Sequence, residues 1–360
     1  MSAGVSTPVS APVVRVGRIE GLRRRPVMLA FAGLALCALV LALGVALGSV
    51  GIPLADTVGV LLHRLFGWPA VSWPASTETI VFELRLPRVL TAMAVGVGLA
   101  LAGATFQGLL RNPLADPYVL GTASGAALGA AVAMTVPLQM VVLGIGLVNV
   151  SAFVGASLAV AVVYRLARAG GLGSMTSVLL TGYAVGALLA AALALVMYLS
   201  GNSLRQIFVY LLGSFALSSW PQVLIGLPII TLGSTVILLR ARVLNAMLLG
   251  EETAGHLGLD VNRQRLVLLG AATLVTAAAV AMSGLIGFVG LVVPHLVRLV
   301  VGPNARTLLP LSAIYGAAFL GAADLLARLP GELPVGVVTA VVGAPFFLYL
   351  LRRYRASYAL

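Results

Sequence analysis

Lysine is absent from this chain of 360 residues, and charge of either sign is scarce, with Asp, Glu, Lys and Arg making up 9% of the total. A soluble domain carries about 25% charged residues, so most of this chain cannot face water. Without lysine there is no standard Walker A loop, because that motif needs a Lys to reach the nucleotide phosphates. Any ATP hydrolysis that drives the protein must therefore come from another chain. The single cysteine, Cys37, lies in an apolar run; it excludes an intrachain disulfide and argues against a thiolate metal centre. The three histidines, His63, His256 and His295, have no ligand spacing. No Ser/His, paired-Asp or HExxH arrangement appears either, so no catalytic residue and no metal site is assigned, and the chain is not read as an enzyme.

What is there is hydrophobicity. Apolar residues make up 61% of the chain and its mean hydropathy is +1.11. A bilayer crossing takes about 20 apolar residues. The apolar runs place ten crossings at about 28–50, 87–110, 117–136, 140–165, 175–199, 221–239, 266–282, 285–301, 308–328 and 334–351. The first run is too long for the core of a signal peptide and lacks a convincing cleavage site. The fold expected is all-α, a polytopic membrane protein of ten helices. It divides into a basic tail over 1–27, one membrane domain over 28–351 with a long internal loop at 240–265, and a second basic tail over 352–360. Between the first two crossings the sequence allows an amphipathic helix around Asp56–Phe66, with Trp68 and Trp73 suited to an interfacial position.

The net charge of +12 would point to nucleic acid in a soluble protein. Here the positive-inside rule, which concentrates basic residues in cytoplasmic loops, accounts for it without nucleic acid. With the N-terminus inside, 17 of the 22 arginines fall on the cytoplasmic side, and Arg64, Arg85, Arg88, Arg205 and Arg328 fall outside. Both termini are then cytoplasmic. Gly121, Gly125 and Gly129 recur every four residues, a spacing that lets membrane helices approach closely. Asp116 and Asp324 are the only acids near the crossings, and both fall close to ends. An ion-coupled carrier places ionisable groups deep in the membrane, which disfavours secondary transport as the alternative class.

Three stretches go beyond hydrophobicity. The first is Arg85-Leu-Pro-Arg88, continued by Gln107-Gly-Leu-Leu-Arg-Asn-Pro-Leu-Ala-Asp-Pro117 and Leu120-Gly-Thr-Ala-Ser-Gly-Ala126. The second is Leu249-Gly-Glu-Glu-Thr-Ala-Gly-His-Leu-Gly258. The third is Ser283-Gly-Leu-Ile-Gly-Phe-Val-Gly-Leu-Val-Val-Pro-His295, followed by Ala323-Asp-Leu-Leu-Ala-Arg328, Glu332-Leu-Pro-Val-Gly336 and Gly343-Ala-Pro-Phe-Phe347. In this order, over about Arg85 to Arg353, they resemble the FecCD family, the permeases of type II ABC importers for ferric siderophores, haem and vitamin B12.

The resemblance implies a homodimer in the bacterial inner membrane. Two cytoplasmic ATPase subunits would carry ATP and Mg, and a periplasmic or lipid-anchored binding protein would dock from outside; the chain itself would hold no cofactor. Arg85, Arg88 and Arg328 would receive acidic residues of the binding protein, although Asp324, four residues before Arg328, competes as an intrahelical partner. Gly250, Glu251, Glu252, Ala254, His256, Leu257 and Gly258 would form the coupling helix that meets the ATPase. The residues themselves suit a short helix there, with acids in its first turn and a Gly at its stop. Asn112 and Leu114, with Met175 and Thr176, would close the pathway on the inside, and crossings five and ten would line it. The substrate expected is an iron complex of the ferric siderophore type, with haem or vitamin B12 as alternatives.

Overall fold

A computed structural model describes residues 26–358 apart from 69, 138–139, 143, 170–174 and 330, and of 350–358 only the backbone. The N-terminal tail expected over 1–27 thus lies almost wholly outside the described residues. Helix α1 spans Pro26–Ala46 and α2 spans Leu54–Phe66, closed by Gly67 in the left-handed region. A short α3 (Ala75–Glu78), a π-helical stretch (Thr79–Arg85) and α4 (Leu86–Leu109) follow as one rod. Then come α5 (Thr122–Thr135), a two-residue-per-strand hairpin (Val141–Val142 against Ile145–Gly146), α6 (Leu147–Ala169) and α7 (Met175–Leu199). A short α8 (Leu204–Leu211) precedes α9 (Trp220–Leu239). Two short helices, α10 (Ala241–Leu248) and α11 (Glu251–His256), lead into α12 (Val261–Ser283). The chain ends with α13 (Val289–Val301), α14 (Ala305–Arg328) and α15 (Val335–Tyr358).

Each of the ten expected crossings coincides with one of these helices. Seven are long and apolar enough to span a membrane, and α5, α13 and α15 are shorter apolar helices at the other three positions. The boundaries shift where backbone chemistry overrides hydropathy. The third crossing begins at Thr122 rather than 117, because Asp116–Gly121 is a turn closed by Val119 N–H to Asp116 O and Gly121 N–H to Tyr118 O, with Gly121 at φ 77°. The eighth begins at Val289 because Gly284 and Phe288 both take φ 70°. The seventh and ninth gain a turn at their starts, where Asp260 and Asn304 cap the helices by accepting from Arg263 N–H and Arg306 N–H. The tenth does not stop at 351 but runs as helix to Tyr358, through most of the expected tail.

The core is a bundle around α4, whose apolar window is 83% buried, with α12 and α14 beside it at 72% and 61%. In a bilayer, apolar side chains gain little by meeting each other instead of lipid, so helices associate through close van der Waals contact at small residues. The packing follows that rule. Gly96 of α4 faces the backbone of Gly316 in α14, and Gly103 faces Gly290 in α13. Gly125 and Gly129 of α5 lie against the backbone of Gly155 and Ser151 in α6. Some hydroxyls inside the bundle are satisfied locally: those of Thr91, Thr105, Thr276 and Ser283 each donate to the carbonyl four residues earlier. The helices α1, α6 and α7 turn most of their surface outward.

Candidate docking and coupling sites

The end of α1 builds the site expected on the outer side. A helix C-terminus leaves its last carbonyls without intrahelical donors and carries partial negative charge. Arg328, at the last turn of α14, donates to Gly44 O at 2.9 Å. Arg85, at the end of the π-helical stretch, donates to Val45 O at 3.1 Å, Ala46 O at 2.8 Å and Val50 O. Both guanidinium groups therefore cap α1. For Arg85 the approach is possible because Gly48 lacks a Cβ where its guanidinium lies, while the missing Cβ of Gly44 makes room for Val89 of α4.

Arg88 lies one turn further along, with its planar fork divided between two carboxylates. Its Nε donates to Asp324 Oδ1 at 3.1 Å, and its Nη1 donates to Glu332 at 2.9 and 3.2 Å. The other oxygen of Asp324 meets Arg328 Nη2 at 2.8 Å, the intrahelical pair expected from sequence. The structure thus gathers Arg88, Arg328, Asp324 and Glu332 into one chain of charges, with Arg85 held on the carbonyls at the end of α1.

The three arginines expected to receive the binding protein are buried within the chain. Arg85, Arg88 and Arg328 are 5%, 8% and 4% exposed, so none stands open to solvent. Burying a charge is tolerable only when it is paired and hydrogen-bonded, and α1's carbonyls and Asp324 supply that pairing. Sequence reasoning missed the carbonyl acceptors, for which there is no side-chain signal, and the part played by Glu332. Trp73 is buried over Gly59, while Trp68 is exposed.

At the opposite end, the loop after α9 holds two helices where one was expected. The segment expected to meet the ATPase forms α11. Gly250 precedes it at φ 125°, Glu251 and Glu252 occupy its first turn, His256 its last, and Gly258 follows at φ 82°. Ala254 is fully buried under it, while Leu249 and Leu257 are 69% and 64% exposed on either side. An ion pair from Glu251 to Arg265 ties α11 to α12. Leu249 and Leu257 also line an open cleft of about 740 Å³ with Asn245, Leu248 and the 301–304 turn.

The four residues expected at the gate fall on two elements. Asn112 sits in the turn after α4, where its Oδ1 accepts from Leu114 N–H at 2.9 Å. Gln107, half a turn before that helix ends, donates to Gly290 O and Leu291 O and fastens the turn to α13. Met175 and Thr176 begin α7, Met175 partly buried and Thr176 exposed. Among the described residues, no group of three or more His, Cys, Asp or Glu is placed to hold a metal.

The chain is a bundle with many helices apolar enough to cross a membrane, a buried chain of charges at one end and a short helix held out at the other. The family model described as the FecCD transport family matches residues 35–353, and the chain belongs to that family of type II ABC importer permeases. It is 44% identical over 324 residues to the cobalamin import system permease protein BtuC of Halobacterium salinarum, covering 85% of this chain and 87% of that one. It is 41% identical to the hemin transport system permease protein HmuU of Yersinia pestis, covering 79% and 87%. The Fe(3+)-citrate import system permease protein YfmD of Bacillus subtilis is 35% identical, covering 88% and 91%. Among solved structures, an inward-facing metal-chelate type ABC transporter matches with a TM-score of 0.77 and 30% identity, covering 91% and 99%.

Proposed function

We propose that this chain is the permease of an ATP-driven importer that carries a metal chelate inward across the cytoplasmic membrane by alternating access. The observation that carries the reading is the pairing of a charged outer end with α11 held out at the other, on one helical bundle. Two copies would enclose the path, with α7 and α15 lining it. The outward faces of α7, including Tyr183, Leu188 and Tyr198, and of α15, including Val341 and Leu348, fit that role. Two ATPase subunits would engage α11 and its exposed leucines. A binding protein would approach the Arg88 end from outside. No bond is made or broken in this chain. Binding energy that differs between outward-open and inward-open states drives the exchange.

The substrate class is a bulky metal complex. A ferric siderophore is the reading from sequence, and a tetrapyrrole, cobalamin or haem, is the second. The second is favoured by the relatives named for cobalamin and hemin, which are 44% and 41% identical against 35% for the ferric-citrate one. Reconstitution with the ATPase and binding protein in proteoliposomes tests both levels. Uptake of labelled ferric siderophore, haem or cobalamin should require ATP and persist with an uncoupler. Uptake that continues without the ATPase, or collapses with the uncoupler, overturns the importer reading in favour of ion-coupled transport.

A further inference from the structure

We propose that Glu332 is an exchangeable latch: it holds the place on Arg88 that a carboxylate of the docking protein takes, and its release frees the start of α15. This rests on the docking reading above and deepens it.

The partners of the three arginines differ in how they can be replaced. Arg85 and Arg328 are held by backbone carbonyls of α1 and, for Arg328, by Asp324, which is fully buried. An incoming side chain cannot displace those without dismantling the end of a helix. Arg88 has one fixed partner and one accessible partner. Asp324 binds its Nε from inside, and Glu332, whose side chain is 46% exposed, binds its Nη1 with both oxygens. A carboxylate arriving from outside can therefore substitute for Glu332 with like geometry and like charge, keeping the buried guanidinium paired throughout.

Glu332 is also held at a cost. It takes φ 63°, beside Gly331 at φ 106°, and a residue with a Cβ rarely adopts that conformation. The ion pair with Arg88 is what the turn gains from it. The same turn leads directly into α15, whose first amides are anchored across the molecule: Val335 N–H donates to Gly213 O at 3.0 Å and Gly336 N–H to Leu212 O at 3.1 Å. Exchange at Arg88 relaxes the turn that sets the entry of α15, one of the two helices assigned to the pathway. Docking and gate movement are then joined at one residue.

The test uses the full-length permease in nanodiscs and the purified binding protein of this importer, with Kd read by surface-bound titration and amide hydrogen exchange read over 331–336. Glu332→Gln keeps the side-chain shape and removes the competing charge. It should tighten docking several-fold and raise exchange across that turn, while Arg88→Gln weakens docking at least tenfold. Glu332→Asp, which keeps a shorter carboxylate, should fall between wild type and Glu332→Gln and stands in should the Gln variant fail to fold. If Arg88→Gln weakens docking but the Glu332 variants leave it unchanged or weaker, the latch is wrong and the docking reading stands. If Arg88→Gln docks like wild type, the docking reading falls and the latch falls with it.

Discussion

Asp324 has no exposure to solvent, yet it holds Arg88 and Arg328 together. Removing one member of a buried ionic group leaves the others uncompensated, at a cost of about 3–5 kcal/mol, whereas replacing the whole group by apolar residues is often neutral. Asp324→Asn should accordingly lower the thermal unfolding midpoint of the detergent-solubilised protein by several degrees, and Asp324→Leu combined with Arg328→Leu should recover part of the loss. Equal midpoints for Asp324→Asn and wild type would show that the group contributes no stability. A second acid answers to pH. Asp116 sits in the turn between α4 and α5, where burial pushes its carboxyl from 3.8 up to about 6 against the opposing Tyr118 N–H. Folded protein therefore holds this proton more tightly than the unfolded chain does. Stability is greatest below the unfolded value and falls as pH rises toward the folded one. Asp116→Asn keeps the acceptor for Tyr118 and removes the charge, so it should raise the midpoint at neutral pH and flatten that profile. At this scale the sequence revealed the Asp324–Arg328 pair through its spacing. It could not reveal that Arg85 ends on the carbonyls of a helix some forty residues earlier, since backbone acceptors leave no mark on residue identity.

Helix positions were legible because a long apolar run must either cross the bilayer or lie buried in the bundle, and every one of the ten expected crossings met a helix. The ends were less legible. Phe288 at φ 70° and the turn at Asp116–Gly121 interrupt runs that hydropathy alone would continue. The π-helical stretch before α4 and the short α8 fall outside the ten expected crossings, since neither is long and apolar enough to register as one. The contacts between helices make a sharper test of how they pack. A Cβ at Gly103 would meet the carbonyl of Gly290, whereas one at Gly270 in α12 meets nothing within 4 Å. Gly103→Ala should therefore destabilise the bundle by about 1–3 kcal/mol through forced separation of α4 and α13. Gly270→Ala should be neutral or stabilising by about 0.5–1 kcal/mol, as Ala is preferred to Gly within a helix. Both are read by thermal denaturation in the same detergent; a harmless Gly103→Ala would mean that α4 and α13 are not in backbone contact.

For the whole molecule, the arginine distribution argues for both termini inside, and the single cysteine makes that testable. Cys37 donates its thiol to Ile314 O at 3.2 Å, so Cys37→Ser keeps a donor and yields a chain free of thiols. Thr253→Cys on α11 should then react with an impermeant maleimide only in inside-out vesicles, and Ser76→Cys on α3 only from outside; the reverse pattern would invert the topology. One more feature bears on such experiments. The three tryptophans of the chain share a neighbourhood. Trp73 lies edge-on to His63 at 6.0 Å, and Trp68 sits five residues before it. Trp220 lies tilted against Phe82 at 5.1 Å and donates to its carbonyl, with Arg64 over the Phe82 ring at 5.0 Å. The protein's intrinsic emission is therefore an optical reporter confined to the end where a binding protein would land. A nucleotide acting on α11 will change that signal only if its effect crosses the full depth of the bundle, so the unlabelled chain distinguishes a local event at the ATPase from one transmitted to the outside.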